Sequence, residues 1–491
     1  MREFLISLDR TAPKSLQAQL REVMVTAILT GHLQAGEKLP STRHLAKQLG
    51  VSRNTAILVY MGLVDDGYLR TAERSGYFVN ETVLEMGIHN SAAQSVEPVA
   101  SSAGLDWRKR LKKTPTSQAN ITKPPGWQKL KHPFIFGQPD LSLFPITDWR
   151  DCVYKSMGRK WLDDWSQDTL GADDPLLIEQ IRTRILPRRG ILARDDEILV
   201  TLGAQHAIYM VASLLASGDT RVGMEEPGYP DARNIFALRT DHVLPIPVDQ
   251  GGLVVDERLE GVDLVYTTPS HQLPTTVTMP SARRKALLDM ADAHDFVIIE
   301  DDYELETNFS GKPEAALKSI DRDGRVIYIG SFSKTLFPGL RLGFVVASAD
   351  FIAELRALRR LMVRHPPTNN QRSTAFFLSL GYYDVFARRL NRVYRERWDE
   401  LERCMKLHLP EVAFNRGTGG SAFWLTLPPG CDAERLRHQA LEASVLVEPG
   451  NIYFASPGDA QHIRLGFSSI ATEAIEPGIE KLAELIGKLS S

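Results

Sequence analysis

Ser331-Phe332-Ser333-Lys334-Thr335-Leu336-Phe337-Pro338-Gly339-Leu340-Arg341-Leu342-Gly343 follows directly on the apolar, strand-like run Val326-Ile327-Tyr328-Ile329-Gly330. The lysine therefore sits at a strand exit, between small hydroxyl residues and seven positions ahead of an arginine. A rigid strand end that projects an amine suits covalent chemistry on an aldehyde carbon. Ser331, Ser333 and Arg341 are donors for a phosphate dianion, Arg341 as a planar two-pronged one. Together these are the requirements of a Schiff-base lysine for pyridoxal phosphate. A surface lysine after a strand is the plain alternative, and the flanking sequence decides between them.

From about residue 130 onward, short apolar strands alternate with helical segments, which predicts an α/β domain with a mostly parallel sheet. The expected strands are Ile198–Val200, Arg221–Met224, Leu264–Tyr266, Phe296–Ile299, Val326–Ile329 and Gly343–Val346. Nearly all run straight into polar or glycine-containing residues, and ligands of such sheets bind at the strands' carboxyl ends. A long helical region after residue 350 leads to an α+β piece holding Phe423-Trp424-Leu425 and Ile463-Arg464-Leu465-Gly466-Phe467.

Five of these segments carry side chains for a pyridine ring, a phosphate and a substrate acid. Thr201-Leu202-Gly203-Ala204-Gln205 opens a helix, whose first N–H groups bind phosphate. Glu226-Pro227-Gly228-Tyr229-Pro230 offers a ring for stacking, although packing explains a tyrosine there as well. Glu300-Asp301-Asp302-Tyr303 ends the most hydrophobic strand with three carboxylates, costly unless one meets a cation or solvent. Thr268 to Thr275, with Gln272, supplies polar groups near the expected ring hydroxyl. Arg464 stands in a strand-like run, placed for a carboxylate or for a surface ion pair.

Residues 1–80 read as a separate helical module. Leu16, Leu20, Val23, Met24, Ala27 and Ile28 recur at helical spacing before Gly31. Ser41 caps a second helix that closes at Gly50, and Ser52 caps a third with Ala56, Val59, Tyr60 and Leu63 on one face. Gly67–Leu69 and Ser75–Val79 predict a hairpin wing around Thr71-Ala72-Glu73-Arg74. Two helices joined through a glycine are a helix-turn-helix signature. Between Lys38 and Val64 there are four basic residues, Lys38, Arg43, Lys47 and Arg53, and no carboxylate. Arg53, Asn54 and Thr55 fall in the reader helix's first turn, where side chains reach base edges or phosphates. A basic bundle that binds protein is the alternative. Residues 81–128, rich in Ser, Ala, Pro, Lys and Gln, read as a linker reaching roughly 35–40 Å.

Composition bounds the rest. The 491 residues carry a net charge of −3, so a nucleic-acid partner must be met locally. Cys152, Cys404 and Cys431 are scattered without metal-ligand spacing, which fits a reducing compartment and no metal. No apolar run reaches 18 residues, and no export signal is visible, so a cytoplasmic protein without membrane contact is expected.

Leu39-Pro40-Ser41-Thr42-Arg43-His44-Leu45-Ala46, Gly50-Val51-Ser52-Arg53-Asn54-Thr55 and Gly67-Tyr68-Leu69 resemble the winged-helix head of GntR-type regulators. Residues 129–491 resemble fold-type I aminotransferases, and the whole chain resembles the MocR/GabR regulators. The resemblance implies that Lys334 bonds the cofactor, Asp301 holds the pyridinium, Tyr303 bonds the ring oxygen and Tyr229 stacks. It gives the phosphate to Ala204, Gln205, Ser331, Ser333 and Arg341, and an effector's carboxylate to Arg464. On DNA, a double-stranded operator, it implies contacts from Arg43, Ser52, Arg53, Asn54 and Thr55, with Gly76 letting the wing approach. It further implies a domain-swapped homodimer and a small amine or amino acid effector. Three departures touch the substrate side: Thr276 where Pro-Thr-Gly is usual, Ala204 for a hydroxyl residue, and Leu170-Gly171-Ala172-Asp173-Asp174-Pro175 for a tyrosine-glycine stretch. The expectation is accordingly a regulator without net turnover; the rivals are a working aminotransferase with a DNA-binding head and a sensor of pyridoxal phosphate itself.

Overall fold

The computed structural model describes residues 8–10, 12, 14–72, 75–82, 105–167, 171–304, 306–309, 314–456 and 461–490. Glu73 and Arg74 of the expected wing turn, Leu170, and 83–104 of the expected linker lie outside the described residues. The chain divides into two compact units, Met1–Arg110 and Leu111–Ser491.

In the first unit, α1 (Leu16–Leu29), α2 (Thr42–Leu49) and α3 (Arg53–Asp65) precede the strands β1 (Leu69–Ala72) and β2 (Gly76–Val79). Serines start all three helices: Ser15, Ser41 and Ser52 accept the amides of Ala18, His44 and Thr55. Gly50 ends α2 at φ +63°, a left-handed conformation that costs glycine nothing. Leu20, Met24 and Ile28 of α1 pack with Leu45, Ala56, Val59, Tyr60 and Leu63 into one small core. The Tyr60 hydroxyl donates to the Pro40 carbonyl (3.0 Å) and fixes the approach to α2. β1 and β2 pair antiparallel with Leu69 opposite Val79, so β1 starts two residues and β2 one residue later than expected.

The second unit contains β3 (His132–Pro133), β4 (Ile198–Thr201), β5 (Val222–Glu226), β6 (Val243–Asp249), β7 (Gly252–Leu253), β8 (Leu264–Thr267), β9 (Val297–Asp302), β10 (Val326–Ser331) and β11 (Gly343–Val346). After them come β12 (Ala413–Asn415), β13 (Ala422–Thr426), β14 (Val445–Leu446), β15 (Glu448–Pro449) and β16 (His462–Gly466). Eight strands form one sheet in the order β4-β11-β10-β9-β8-β5-β6-β7. The central strands β10, β9, β8, β5 and β6 are parallel, whereas β11 runs against both its neighbours and β7 closes the far edge antiparallel. Leu199, Val222, Tyr266, Ile299 and Ile329 meet the helix α4 (Ala204–Leu215) in a dry layer. The strands β12-β13-β16-β15 make a second, four-stranded antiparallel sheet.

β6 went unforeseen because Pro245 and Pro247 break the strand signal. Prolines are tolerated there since only the two-residue β7 lies on the other side. The second unit also starts at Leu111, so the last part of the expected linker belongs to it. Asn234 accounts for that: its carbonyl takes the Gln118 amide (2.9 Å), and its own amide donates to Ala119 O (2.7 Å).

Candidate cofactor cleft and nucleic-acid interface

β9 and β10 run side by side with Asp301 level with Ile329, so Asp301 and Ser331 reach the same end of the sheet. Strand alternation sends Asp301 and Asp302 to opposite faces. Asp301 Oδ2 accepts from the Tyr266 hydroxyl at 2.6 Å, while its Oδ1 has no partner among the described residues. Burial pushes this carboxyl up to about 7, and the Tyr266 hydrogen bond works against the rise. Asp302 instead meets Arg189 (2.6 Å) and the Tyr328 hydroxyl (2.8 Å); against its burial, Arg189 holds it below the usual carboxylate range. A buried acceptor left empty costs about 1–3 kcal/mol, so Asp301 Oδ1 marks where a donor belongs.

Lys334 leaves the end of β10 half-buried, with Nζ 4.1 Å from the centre of the Phe136 ring. Burial lowers its ammonium to about 8, with Glu304 acting upward and Lys123 and Arg464 downward. A Cβ on Gly137 would lie 2.1 Å from this nitrogen, so glycine leaves the amine its place. At the other end of the cleft, Gly203 (φ +84°) opens α4 without a side-chain cap, which leaves the Ala204 and Gln205 amides for an anion. Arg341, itself at φ +52°, donates to Leu202 O (2.9 Å) with its guanidinium about 3.5 Å from where a Gly203 Cβ would stand. Ser331 is buried and its hydroxyl accepts the Ser333 amide (3.2 Å), so both serines line this turn.

Arg464 is fully buried on β16, its guanidinium carbon 3.3 Å from the Phe136 ring centre. Nη1 donates to the Tyr453 hydroxyl at 3.3 Å, whereas Nε and Nη2, the edge that grips a carboxylate sideways, are unpartnered among the described residues. Lys334 and Arg464 thus both lie against the Phe136 ring. Tyr303 stands edge-on to it at 6.2 Å, its hydroxyl unpartnered among the described residues. Tyr229 packs beside the same cluster and donates to Asp231 (3.2 Å). Phe136, Gly137, Tyr266, Asp231, Glu304 and Lys123 escaped sequence reasoning. The first three lie in apolar runs with a core reading, and Lys123 lies in the supposed linker.

Gln272 is a correction. Its amide nitrogen is engaged by Glu225, Pro227 O and Leu273 O, and its oxygen by Thr275, so it locks its own loop and has nothing left for a ring oxygen. Thr276 adopts φ +61°, the conformation for which glycine is suited, so this departure strains the backbone by about 1–3 kcal/mol. Asp173 is held by Arg356 (3.0 Å) and Arg359 (2.5 Å), and Asp174 caps the helix Pro175–Gln180. Asp173 also accepts the Val200 amide (3.3 Å), which fastens it to the sheet.

In the head, Arg43, Arg53 and Asn54 are exposed at the starts of α2 and α3, and neither arginine has an acidic partner among the described residues. Gly76 begins β2 at φ +105° beside the Lys38 stem. Ser52 and Thr55 depart from expectation: their hydroxyls pair at 2.8 Å, and Ser52 also takes the Thr55 amide (3.0 Å). They serve the helix start before any phosphate.

Residues 16–79 match the bacterial regulatory proteins of the gntR family, and residues 171–482 match aminotransferase class I and II. The HTH-type transcriptional regulator TauR of Rhodobacter capsulatus is 41% identical, with 96% of each chain covered. The probable rhizopine catabolism regulatory protein MocR of Rhizobium meliloti is 31% identical, over 99% of this chain and 97% of its own. Among solved structures, the kynurenine aminotransferase of Pyrococcus horikoshii, crystallised with PMP, is similar at TM-score 0.71 and 27% identity, covering 78% of this chain and 98% of that one. LysN, the α-aminoadipate aminotransferase of Thermus thermophilus, is similar at TM-score 0.71 and 28% identity, over 78% and 99%. Among the described residues, no helix is long and apolar enough to cross a membrane. With both halves matched and near-full-length relatives aligned end to end, the chain belongs to the MocR/GabR branch of the GntR-type transcription regulators, a winged helix-turn-helix head fused to a fold-type I aminotransferase-like domain.

Proposed function

We propose that this regulator binds pyridoxal phosphate in the cleft and uses it to sense a small amine or amino acid, changing its hold on a DNA operator. The observation that carries the reading is the set of buried groups without partners among the described residues: Asp301 Oδ1, the Tyr303 hydroxyl, and Arg464 Nε and Nη2. They suit, in turn, a pyridine nitrogen, a ring oxygen and a carboxylate. When bound, the cofactor supplies an aldehyde that joins reversibly to a primary amine. Lys334 offers that amine, and a pKa of about 8 keeps roughly a fifth of it neutral near pH 7.4. Asp301 supplies the counter-charge for the ring nitrogen. The α4 amides of Ala204 and Gln205, with Ser331, Ser333 and Arg341, hold the phosphate.

An effector whose amine displaces Lys334 and whose acid meets Arg464 has differential contacts in two states of the domain, which a population shift requires. On the DNA side, Arg43, Arg53 and Asn54 read or anchor the operator. A homodimer with exchanged heads completes the proposal; exposed Leu141, Ile146, Tyr154 and Met157 support a subunit interface. The test is an absorbance titration of the cofactor-loaded protein against amines and amino acids, with operator affinity measured on the same samples. The expected outcome is one effector that moves both signals without product. Multiple turnover with a keto acceptor would make the protein an enzyme. A DNA response to cofactor alone would make it a sensor of pyridoxal phosphate.

A further inference from the structure

The segment Gln118–Lys123 lies on the second unit but continues, along the chain, toward the DNA-binding unit. A line of contacts joins it to Arg464. Arg464 Nη1 donates to the Tyr453 hydroxyl (3.3 Å). The backbone of that turn is gripped by Arg233, which donates to Tyr453 O (3.1 Å) and Ile452 O (2.8 Å). The next residue, Asn234, clasps the segment from both sides: Gln118 Nε2 donates to its carbonyl (2.9 Å), and its own amide donates to Ala119 O (2.7 Å) and Asn120 Oδ1 (3.1 Å). Lys123, at the end of the clasp, lines a cavity of about 590 Å³ together with Glu448, Ile452 and Phe454. Glu448 stands directly across the strand pair from Arg464, with Oε2 buried and unpartnered among the described residues.

Resting on the effector reading above, we propose that Gln118–Lys123 is a strap that passes occupancy of Arg464 by an effector's acid group to the chain leading to the DNA-binding unit, with Lys123 as the second cation that acid meets. The physical cause is a second negative charge arriving beside Lys123, on the side of Glu448. With no acid bound, burial lowers the Lys123 ammonium, Glu448 acts upward, and the weaker repulsion from Arg464 acts downward. An arriving carboxylate cancels the repulsion, and Lys123 is drawn in. Because Asn234 fastens the preceding residues, the strap moves as one piece with Arg233 and Tyr453. The two states therefore differ in whether Lys123 meets an acid group, and that difference is what a coupling between sites needs.

The probes are pyridoxamine 5′-phosphate and the reduced adduct phosphopyridoxyl-L-alanine, which adds a carboxylate to the same phosphate and ring. Binding is followed by cofactor absorbance, and amide exchange is followed at residues 118–123. The adduct is expected to slow that exchange several-fold beyond the amine alone. Asn234→Ala should erase the difference while binding both compounds as before, and Lys123→Gln should erase it while weakening only the adduct, roughly two- to five-fold. Melting curves on both variants check that they fold. The strap is overturned if both probes bind and exchange at 118–123 ignores the carboxylate, or if Asn234→Ala keeps the full response. Failure of both probes to bind would instead overturn the cofactor reading.

Discussion

The two units hold their functional groups in opposite ways. In the head, Arg43 and Arg53 stand in water, where an unpaired cation costs almost nothing, and only short serine-capped helices aim them. In the cleft, Asp301 Oδ1, the Tyr303 hydroxyl and the free edge of Arg464 are buried, where leaving each group unmatched costs about 1–3 kcal/mol. Exposed charge is thus weak evidence of a site by itself, and buried unmatched polarity is strong evidence. The comparison also separates two responses to salt. Contacts from the head to DNA must weaken steeply as salt rises, whereas contacts inside the cleft are scarcely screened.

The sharpest way to break this contrast is Lys334→Ala. It should abolish the absorbance and the borohydride-reducible link that the Lys334 amine forms with the cofactor, yet leave the fold and DNA binding intact. In the parent protein, capture of added cofactor by the cofactor-free form should accelerate as pH rises through about 8 and then level off, since only the neutral amine reacts. A reducible link surviving in the variant removes Lys334 from its assigned role. Next in size, Asp301→Asn should weaken cofactor binding by about 3–5 kcal/mol and shift its spectrum, because a buried charge loses its counterpart. Asp302→Asn is the control on the opposite face: it should lower the melting temperature through Arg189 and leave the spectrum alone. The reverse pattern would exchange the two aspartates' roles.

How much of this was legible in the sequence follows from the same contrast. The head is local: caps, turn glycine and wing lie within about seventy residues, each with its own short-range signal, and the expected helices appear nearly at their expected bounds. In the second unit, the strand exits offered Lys334, Asp301, Ser331 and Arg341 as candidates, because a parallel sheet gathers such residues at one edge. Phe136 and Tyr266 carried no signal, since an apolar residue in an apolar run looks like core wherever it is. Gln272 was misread for a related reason: a polar side chain in a polar loop does not reveal that it closes its own loop. Lys123 was hidden by composition, which made 111–128 resemble a linker until Asn234 fastened it.

Arg464→Ala should cost a carboxylate-bearing effector about 2–5 kcal/mol and spare plain amines, because the acid would remain buried without its partner. Titrating both classes on one protein checks this. Equal losses would mean that Arg464 supports Tyr453 and the strap and does not bind the acid. In the head, Arg53→Ala should cost about 1–3 kcal/mol of operator affinity and relax preference at one base pair. A loss that is uniform across sequences, with a shallower dependence on salt, would make it a phosphate contact. Cofactor absorbance should be unchanged in either case.

Ser52→Ala has the smallest expected effect and bears most directly on how the head is built. The Ser52 hydroxyl takes the Thr55 amide at 3.0 Å and pairs with the Thr55 hydroxyl at 2.8 Å, so it is already occupied in starting α3. Alanine leaves that amide without its side-chain acceptor and should lower the stability of the head by about 1 kcal/mol, as loss of an N-cap typically does. Operator affinity should then fall only by as much as the folded fraction of the head falls, with the salt dependence unchanged. Asparagine at the same position, another good cap, should restore both. If alanine instead leaves the melting of the head untouched and removes about one phosphate's share of the salt dependence, Ser52 is a ligand of the DNA backbone. The head would then place a functional group within its own scaffold, as the cleft does with Asp301, and the contrast between the two units would be one of degree.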